Sequence, residues 1–238
     1  MSEHCDIAVV LPAFNEELCI ETTLNNLYEE LRIIGLSFEI IVVDDGSTDS
    51  TVQKVIALQD EISDLRLHRL DRNYGIGKAI REGVNAAKAS FVLYTDADLP
   101  VSLKHLKEFF FMINNKKLDA VFGVRKQRNE GRMRFIYTVG YNFIVRVLFG
   151  YSVYDINCPF KMVRSDCLRQ INLKSKGPFI DAEMVLLFLK KGFKCSFLPV
   201  KAEARIAGLS HFASFDTIAK TVFLMLKGMI IFMMNKNK

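Results

Sequence analysis

Two acidic clusters hold the side chains in this sequence best suited to chemistry. Asp44-Asp45-Gly46-Ser47-Thr48-Asp49 follows the apolar run Glu39-Ile40-Ile41-Val42-Val43, and Asp96-Ala97-Asp98 follows Phe91-Val92-Leu93-Tyr94. Two carboxylates spaced as in Asp96-x-Asp98 can grip one hard divalent cation, Mg2+ or Mn2+, and that cation can bridge two phosphates of a nucleoside diphosphate. Taken alone, the same residues make a capping turn before a helix starting at Ser102. The buried strand ahead of them and the second acidic cluster upstream favour the metal. At Asp44-Asp45 one carboxylate could accept from a nucleobase N–H while the other holds the turn, with Asp45 the base contact. Gly46 to Asp49 also reads as that turn and a helix cap.

Two further segments flank these clusters. In Pro12-Ala13-Phe14-Asn15-Glu16-Glu17, Pro12 and Phe14 suit a base or ribose pocket and Glu16 a nucleotide contact. The alternative is helix-start chemistry, with Asn15 as cap and acids in the first turn. Asn73-Tyr74-Gly75-Ile76-Gly77-Lys78-Ala79 resembles a dinucleotide fingerprint but fails, because Ile80 holds the third glycine position. It reads as a tight loop opening a helix, with Lys78 or Arg81 near a phosphate.

The elements that must position these residues are legible from periodicity. Strands are expected at Ile7 to Leu11, Phe38 to Val43, Leu65 to Leu70, Phe91 to Thr95 and Ala120 to Gly123. Helices are expected between them: Ile20 to Ile34 closed by Gly35, one capped by Thr48-Asp49-Ser50, Gly77 to Ala87, and Ser102 through Met112. This alternation means βαβ units and a largely parallel sheet, so residues 1–124 form a doubly wound nucleotide-binding half. In such a sheet ligands bind outside the carboxyl ends of the strands, where both acidic clusters fall.

The second half is less regular. Phe135 to Phe149 and Ala182 to Lys191 read as helices, and Phe160 to Val163 and Cys195 to Val200 as strands. Residues 125–213 are expected to pack onto the first half as its acceptor side. Residues 214–238 form a separate apolar helix, Thr221 to Met234, interrupted by Lys227 and Gly228. It lacks the twenty or so unbroken apolar residues of a convincing span. The preferred reading lays it on a membrane surface; the alternatives bury it in the core or in a contact with a second copy.

With 238 residues, half of them hydrophobic, the chain can build one good core. Its five scattered cysteines, with no CxxC, suggest free thiols in a reducing compartment. The polar start Ser2-Glu3-His4-Cys5-Asp6 has no leader-like pattern, so a cytosolic chain is expected. Charge divides the molecule: residues 1–120 hold 12 Lys and Arg against 20 Asp and Glu, a net of −8, while residues 121–238 hold 20 against 7, a net of +13. A basic half can meet an anionic membrane or a phosphate substrate; no motif for reading nucleic acid is present.

Together the segments Pro12 to Glu17, Asp44 to Asp49, Asn73 to Ala79 with Arg81 and Gly83, and Asp96 to Leu99 resemble a family 2 glycosyltransferase with the GT-A fold. Gly123-Val124-Arg125, Asp155 to Lys161, Asp181-Ala182-Glu183 and Arg205 to His211 look like its polyprenyl-phosphate hexose synthase branch, home of the dolichyl-phosphate mannose and glucose synthases. The likeness spans about residues 5–212. It implies an inverting, metal-dependent transferase that moves glucose or mannose from a UDP- or GDP-sugar to a polyprenyl monophosphate. It would be peripheral on the cytoplasmic face of a membrane.

On that reading Asp96 and Asp98 hold the metal, and Arg205 stabilises the departing diphosphate. His211, where relatives often carry Lys, is a further metal ligand or diphosphate contact. The basic loop Arg125, Lys126, Arg128, Arg132 and Arg134 suits an acceptor phosphate, which Arg grips bidentately. A phosphate monoester, with a second pKa of about 6, needs no protein base. A hydroxyl acceptor does, and Asp181 or Glu183 could supply it; otherwise they orient the sugar or a basic side chain. The rival readings are a transferase adding sugar to a hydroxyl of a surface glycan, and a non-catalytic nucleotide-sugar-binding partner subunit.

Overall fold

The computed structural model describes residues 5–126, 132–153, 155–203 and 215–234, without the side chains of residues 132–138, 215–220 and 222. Among the described residues, β1 (Ile7–Ala13), β2 (Phe38–Asp44), β3 (Leu65–Arg69), β4 (Phe91–Thr95), β5 (Ala120–Lys126), β6 (Phe160–Arg164) and β7 (Cys195–Lys201) form one sheet. Their order is β3-β2-β1-β4-β6-β5-β7. The helices are α1 (Ile20–Ile34), α2 (Thr51–Leu58), α3 (Ile76–Ala86), α4 (His105–Asn115), α5 (Arg132–Phe149), the single turn α6 (Ser165–Leu168), α7 (Ile180–Lys190) and α8 (Phe215–Met234).

The central strands β1 and β4 are apolar because both of their faces are covered, whereas the edge strand β3 carries Arg66, His68 and Arg69. Ile7, Val9, Leu11 and Leu93 point into one core with α1, α2 and α4. Ala8, Val10, Val92 and Tyr94 point into the other with α3, α5, α7 and α8. The sheet is mostly parallel, as expected for an α/β protein of this class. One strand departs: β6 runs antiparallel to both β4 and β5. The adjacent parallel strands β1 and β4 mark the topological switch point. The chain leaves β1 toward β2 and leaves β4 toward the other edge, opening a crevice at their carboxyl ends.

Two expected caps are replaced by other contacts, and the one expected from Thr48-Asp49-Ser50 is made by Asp49. Ser102 does not begin a helix: its N–H donates to the Lys201 carbonyl at 3.2 Å, and α4 starts three residues later. Ser50 makes no side-chain cap on α2; Asp49 instead accepts from the N–H of Thr51 at 2.9 Å and of Glu17 at 3.1 Å. Asn15 lies five residues ahead of α1 and caps the other turn, accepting from the Thr48 N–H at 2.8 Å.

The last helix packs one stripe inward. Met229 is buried, and Phe232 meets Phe149 and Phe179 at ring distances of 5.6 and 5.8 Å. Gly228 permits this approach, since a Cβ there would lie 2.6 Å from Phe179. Phe223, Ile230, Ile231 and Met234 of α8 stay exposed, as do Phe143 and Val147 of α5. Among the described residues no helix is long and apolar enough to cross a membrane.

Candidate active site

The crevice at the carboxyl ends of β1, β2 and β4 gathers the acidic residues that the sequence singles out. At the end of β2, Asp44 is fully buried and accepts from the Ser47 N–H at 3.1 Å. The Arg69 guanidinium stands 3.7 Å away. Asp45 reaches across to the loop after β3, where its two oxygens accept from the N–H groups of Tyr74 and Gly75, both at 2.8 Å. Burial raises its pKa, and these two bonds oppose the rise. Asp45 therefore holds the loop that closes this end of the crevice. Asn15 and Glu16 are tied to the same turn through Ser47 and Thr51, at 2.9 and 2.8 Å. Phe14 lies half-buried beside it, and Pro12 is buried within β1.

At the end of β4, Asp96 is ringed by protein yet still reached by solvent, and Asp98 is buried. Burial, then the charges of Asp98 and Asp181, push the Asp96 carboxyl up to about 7. The Tyr94 hydroxyl donates to Asp96 at 2.9 Å. Lys161, on β6 directly opposite Tyr94, is almost fully buried and donates to Asp181 at the start of α7 and to the Cys158 carbonyl. Its ammonium lies 5.5 Å from the centre of the Tyr94 ring. Burial raises the pKa of Asp181, and Lys161 pulls it down. Lys161 pairs with Asp181, while Asp96 feels the charges of both Asp98 and Asp181. The raised Asp96 beside Asp98 fits a divalent cation, which these two carboxylates would hold and which would supply positive charge to a diphosphate. Among the described residues no third His, Cys, Asp or Glu completes a ligand set.

The remaining candidates separate. Glu183, one turn into α7, is buried and accepts from the N–H of Lys174 at 3.0 Å and of Ser175 at 2.8 Å. Lys78 pairs with Glu82 on its own helix, and Arg81 donates to the Ser175 carbonyl. Arg125 forms a two-pronged pair with Asp155, at 2.8 and 3.1 Å, and is nearly buried. Arg132 opens α5, but its side chain and that of Arg134 lie outside the description, as do Arg128, Arg205 and His211 altogether.

Sequence reasoning did not assign Lys161 or Tyr94 a role. The available signal was a lone charge inside the apolar run Phe160 to Val163. A lysine there must meet a carboxylate, because a buried unpaired charge is untenable.

Comparison with known proteins follows the same lines. Residues 8–171 match the family described as glycosyl transferase family 2. The chain is 27% identical over 236 residues to a dolichyl-phosphate beta-glucosyltransferase of Dictyostelium discoideum, covering 91% of this chain and 72% of that protein. It is 27% identical over 175 residues to a dodecaprenyl-phosphate galacturonate synthase of Rhizobium johnstonii, covering 72% of this chain and 51% of the other. The chain spans 33% to 51% of the length of the first curated relatives it matches. Among solved structures, glucosyl-3-phosphoglycerate synthase from Mycobacterium tuberculosis, in complex with Mn2+ and UDP-glucose, superposes with a TM-score of 0.70 at 20% identity. That match covers 95% of this chain and 78% of the other, and it establishes a shared GT-A fold.

Proposed function

The chain belongs to glycosyl transferase family 2, and from that premise we propose that it moves a hexose, glucose or mannose, from a UDP- or GDP-sugar to a polyprenyl monophosphate with inversion. One observation carries the choice of acceptor. Both acidic side chains that could serve a hydroxyl acceptor as general base are engaged: Asp181 with the Lys161 ammonium and Glu183 with backbone N–H groups. A hydroxyl needs such a base. A phosphate monoester is largely dianionic near neutral pH, its second pKa being about 6, and attacks the anomeric carbon without one. Two relatives carry a polyprenyl phosphate in their names, which supports the same acceptor.

In this reading the chain's work is alignment and charge placement. The turn at Asp44 to Asp49 and the loop at Tyr74 and Gly75 seat the nucleotide, with Asp45 ordering that loop. A Mg2+ or Mn2+ on Asp96 and Asp98 would neutralise the leaving diphosphate. Asp181, held by Lys161, faces the sugar. Arg132 and Arg134, at the start of α5, are assigned to the acceptor phosphate, and Arg205 and His211 to the diphosphate. The exposed apolar residues of α5 and α8 suit a peripheral seat on a membrane surface, where a lipid acceptor resides.

The test uses purified protein with Mn2+ or Mg2+, a panel of UDP- and GDP-hexoses and a short polyprenyl phosphate. Diphosphate release and the mass of the glycolipid are followed together. Lipid-dependent release with one donor is expected. Donor binding without it would move the assignment to a glycan hydroxyl acceptor or to a silent partner subunit.

A further inference from the structure

Residues 174–177 run between the two ends of the site as a strap, and both of its sides are held. On one side the Glu183 carboxylate accepts from the N–H groups of Lys174 and Ser175. On the other, the Gly77 N–H donates to the Lys176 carbonyl at 3.0 Å, and Arg81 donates to the Ser175 carbonyl. The approach is so close that only glycine fits. A Cβ on Gly77 would lie 2.2 Å from the Ser175 oxygen, and one on Gly75 2.7 Å from the Lys176 oxygen. Gly75 also sits at φ +92, which L side chains rarely adopt. The same Gly75, with Tyr74, offers its N–H to Asp45. An unbroken path of hydrogen bonds and backbone contacts therefore runs from Asp45 in the nucleotide turn, through the 74–77 loop and the strap, to Glu183 on the helix that begins at Asp181.

We propose that Glu183 is a positioning residue that sets the nucleotide affinity of this site through the strap, without touching the nucleotide. The physical reason is that its carboxylate fixes the position of the strap, and the strap is the surface on which the 74–77 loop rests. Removing the charge of this acceptor weakens its bonds to two partly buried N–H groups and loosens the strap, because charge-assisted bonds are the stronger ones. The loop held by Asp45 then loses its backing. The path also gives Gly75 and Gly77 their purpose: any side chain at either position would wedge the strap away. The role assigned to the nucleotide rests on the proposed transferase reading; the mechanical link does not.

Amide hydrogen exchange on the ligand-free protein separates the two. In Glu183→Gln, the amides of Tyr74 and Gly75, which Glu183 does not contact, should exchange about tenfold faster. UDP or GDP should bind about tenfold more weakly, and donor KM should rise more than kcat falls. Gly77→Ala pushes the strap from its other side and should speed exchange at Lys174 and Ser175, which keeps the test decisive if Glu183→Gln fails to fold. Faster exchange confined to Lys174 and Ser175 in Glu183→Gln, or to the 74–77 loop in Gly77→Ala, would overturn the proposal. So would lost turnover at unchanged donor KM, which would return Glu183 to the role of a base. If neither UDP nor GDP binds the unaltered protein, the nucleotide reading fails, and the exchange at Tyr74 and Gly75 still decides the link.

Discussion

Asp96 ties the charge of the site to pH. In the unfolded chain its carboxyl titrates near the ordinary 3.8, and in the folded, cation-free protein near 7. Below about 4 both states hold the proton. Between about 4 and 7 unfolding releases it, so stability should fall as pH rises through that window and level off above it. Thermal melts in EDTA across this range should show the fall, and Asp96→Asn should flatten it. On the proposed metal site, Mn2+ should bind more tightly as pH rises through about 7, because a proton on Asp96 competes with the cation. Asp98→Ala should abolish cation-dependent turnover in a folded protein; unchanged turnover would remove the metal assignment. Lys161→Met leaves Asp181 as a buried charge without its ammonium and should cost about 3–5 kcal/mol in denaturant unfolding. Residues of this kind divide by legibility. Asp44, Asp45, Asp96 and Asp98 stand out in the sequence because each pair directly follows an apolar run. Lys161 does not, because the carboxylate that explains it lies twenty residues away on another element.

The elements were readable where both faces of a strand are covered, since β1, β2 and β4 then appear as unbroken apolar runs. The reversed direction of β6 was not readable. Its burial resembles that of a parallel strand, and only its pairing with Tyr94 and Phe122 reveals its sense. The strap escaped for a related reason: its contacts are made by backbone groups, which leave little pattern in side-chain order. Asn15 and Ser102 show a third limit, because a capping residue type is visible in the sequence while its partner lies on another segment. Gly228, which interrupts the apolar pattern of α8, is the point where the helix meets Phe179. Gly228→Val should force the helix outward and lower stability by about 1–3 kcal/mol, measured by denaturant unfolding.

At the scale of the molecule, an acidic half and a basic half meet across one sheet, and two helices expose apolar residues on the same side of the core. Replacing Phe143, Val147, Ile230 and Ile231 with Ser should abolish co-sedimentation with anionic vesicles while the protein stays folded and still turns over a short, soluble acceptor. Retained sedimentation, or none with the unaltered protein, would remove the proposed membrane seat from α5 and α8. The antiparallel β6 has a further consequence for the order in which the molecule comes into being. Its partners on β4 precede it by 65 to 73 residues, from Thr95 paired with Phe160 to Phe91 paired with Arg164. During synthesis β1 to β4 emerge first and can pair among themselves, but the far edge of β4 stays open until residue 164 has left the ribosome. β5, although made earlier, has no place in the sheet until β6 arrives to seat it. The nascent chain thus carries an unpaired strand edge beside Asp96 for some seventy residues of translation, and Lys161 reaches the acids in the same event that closes that edge.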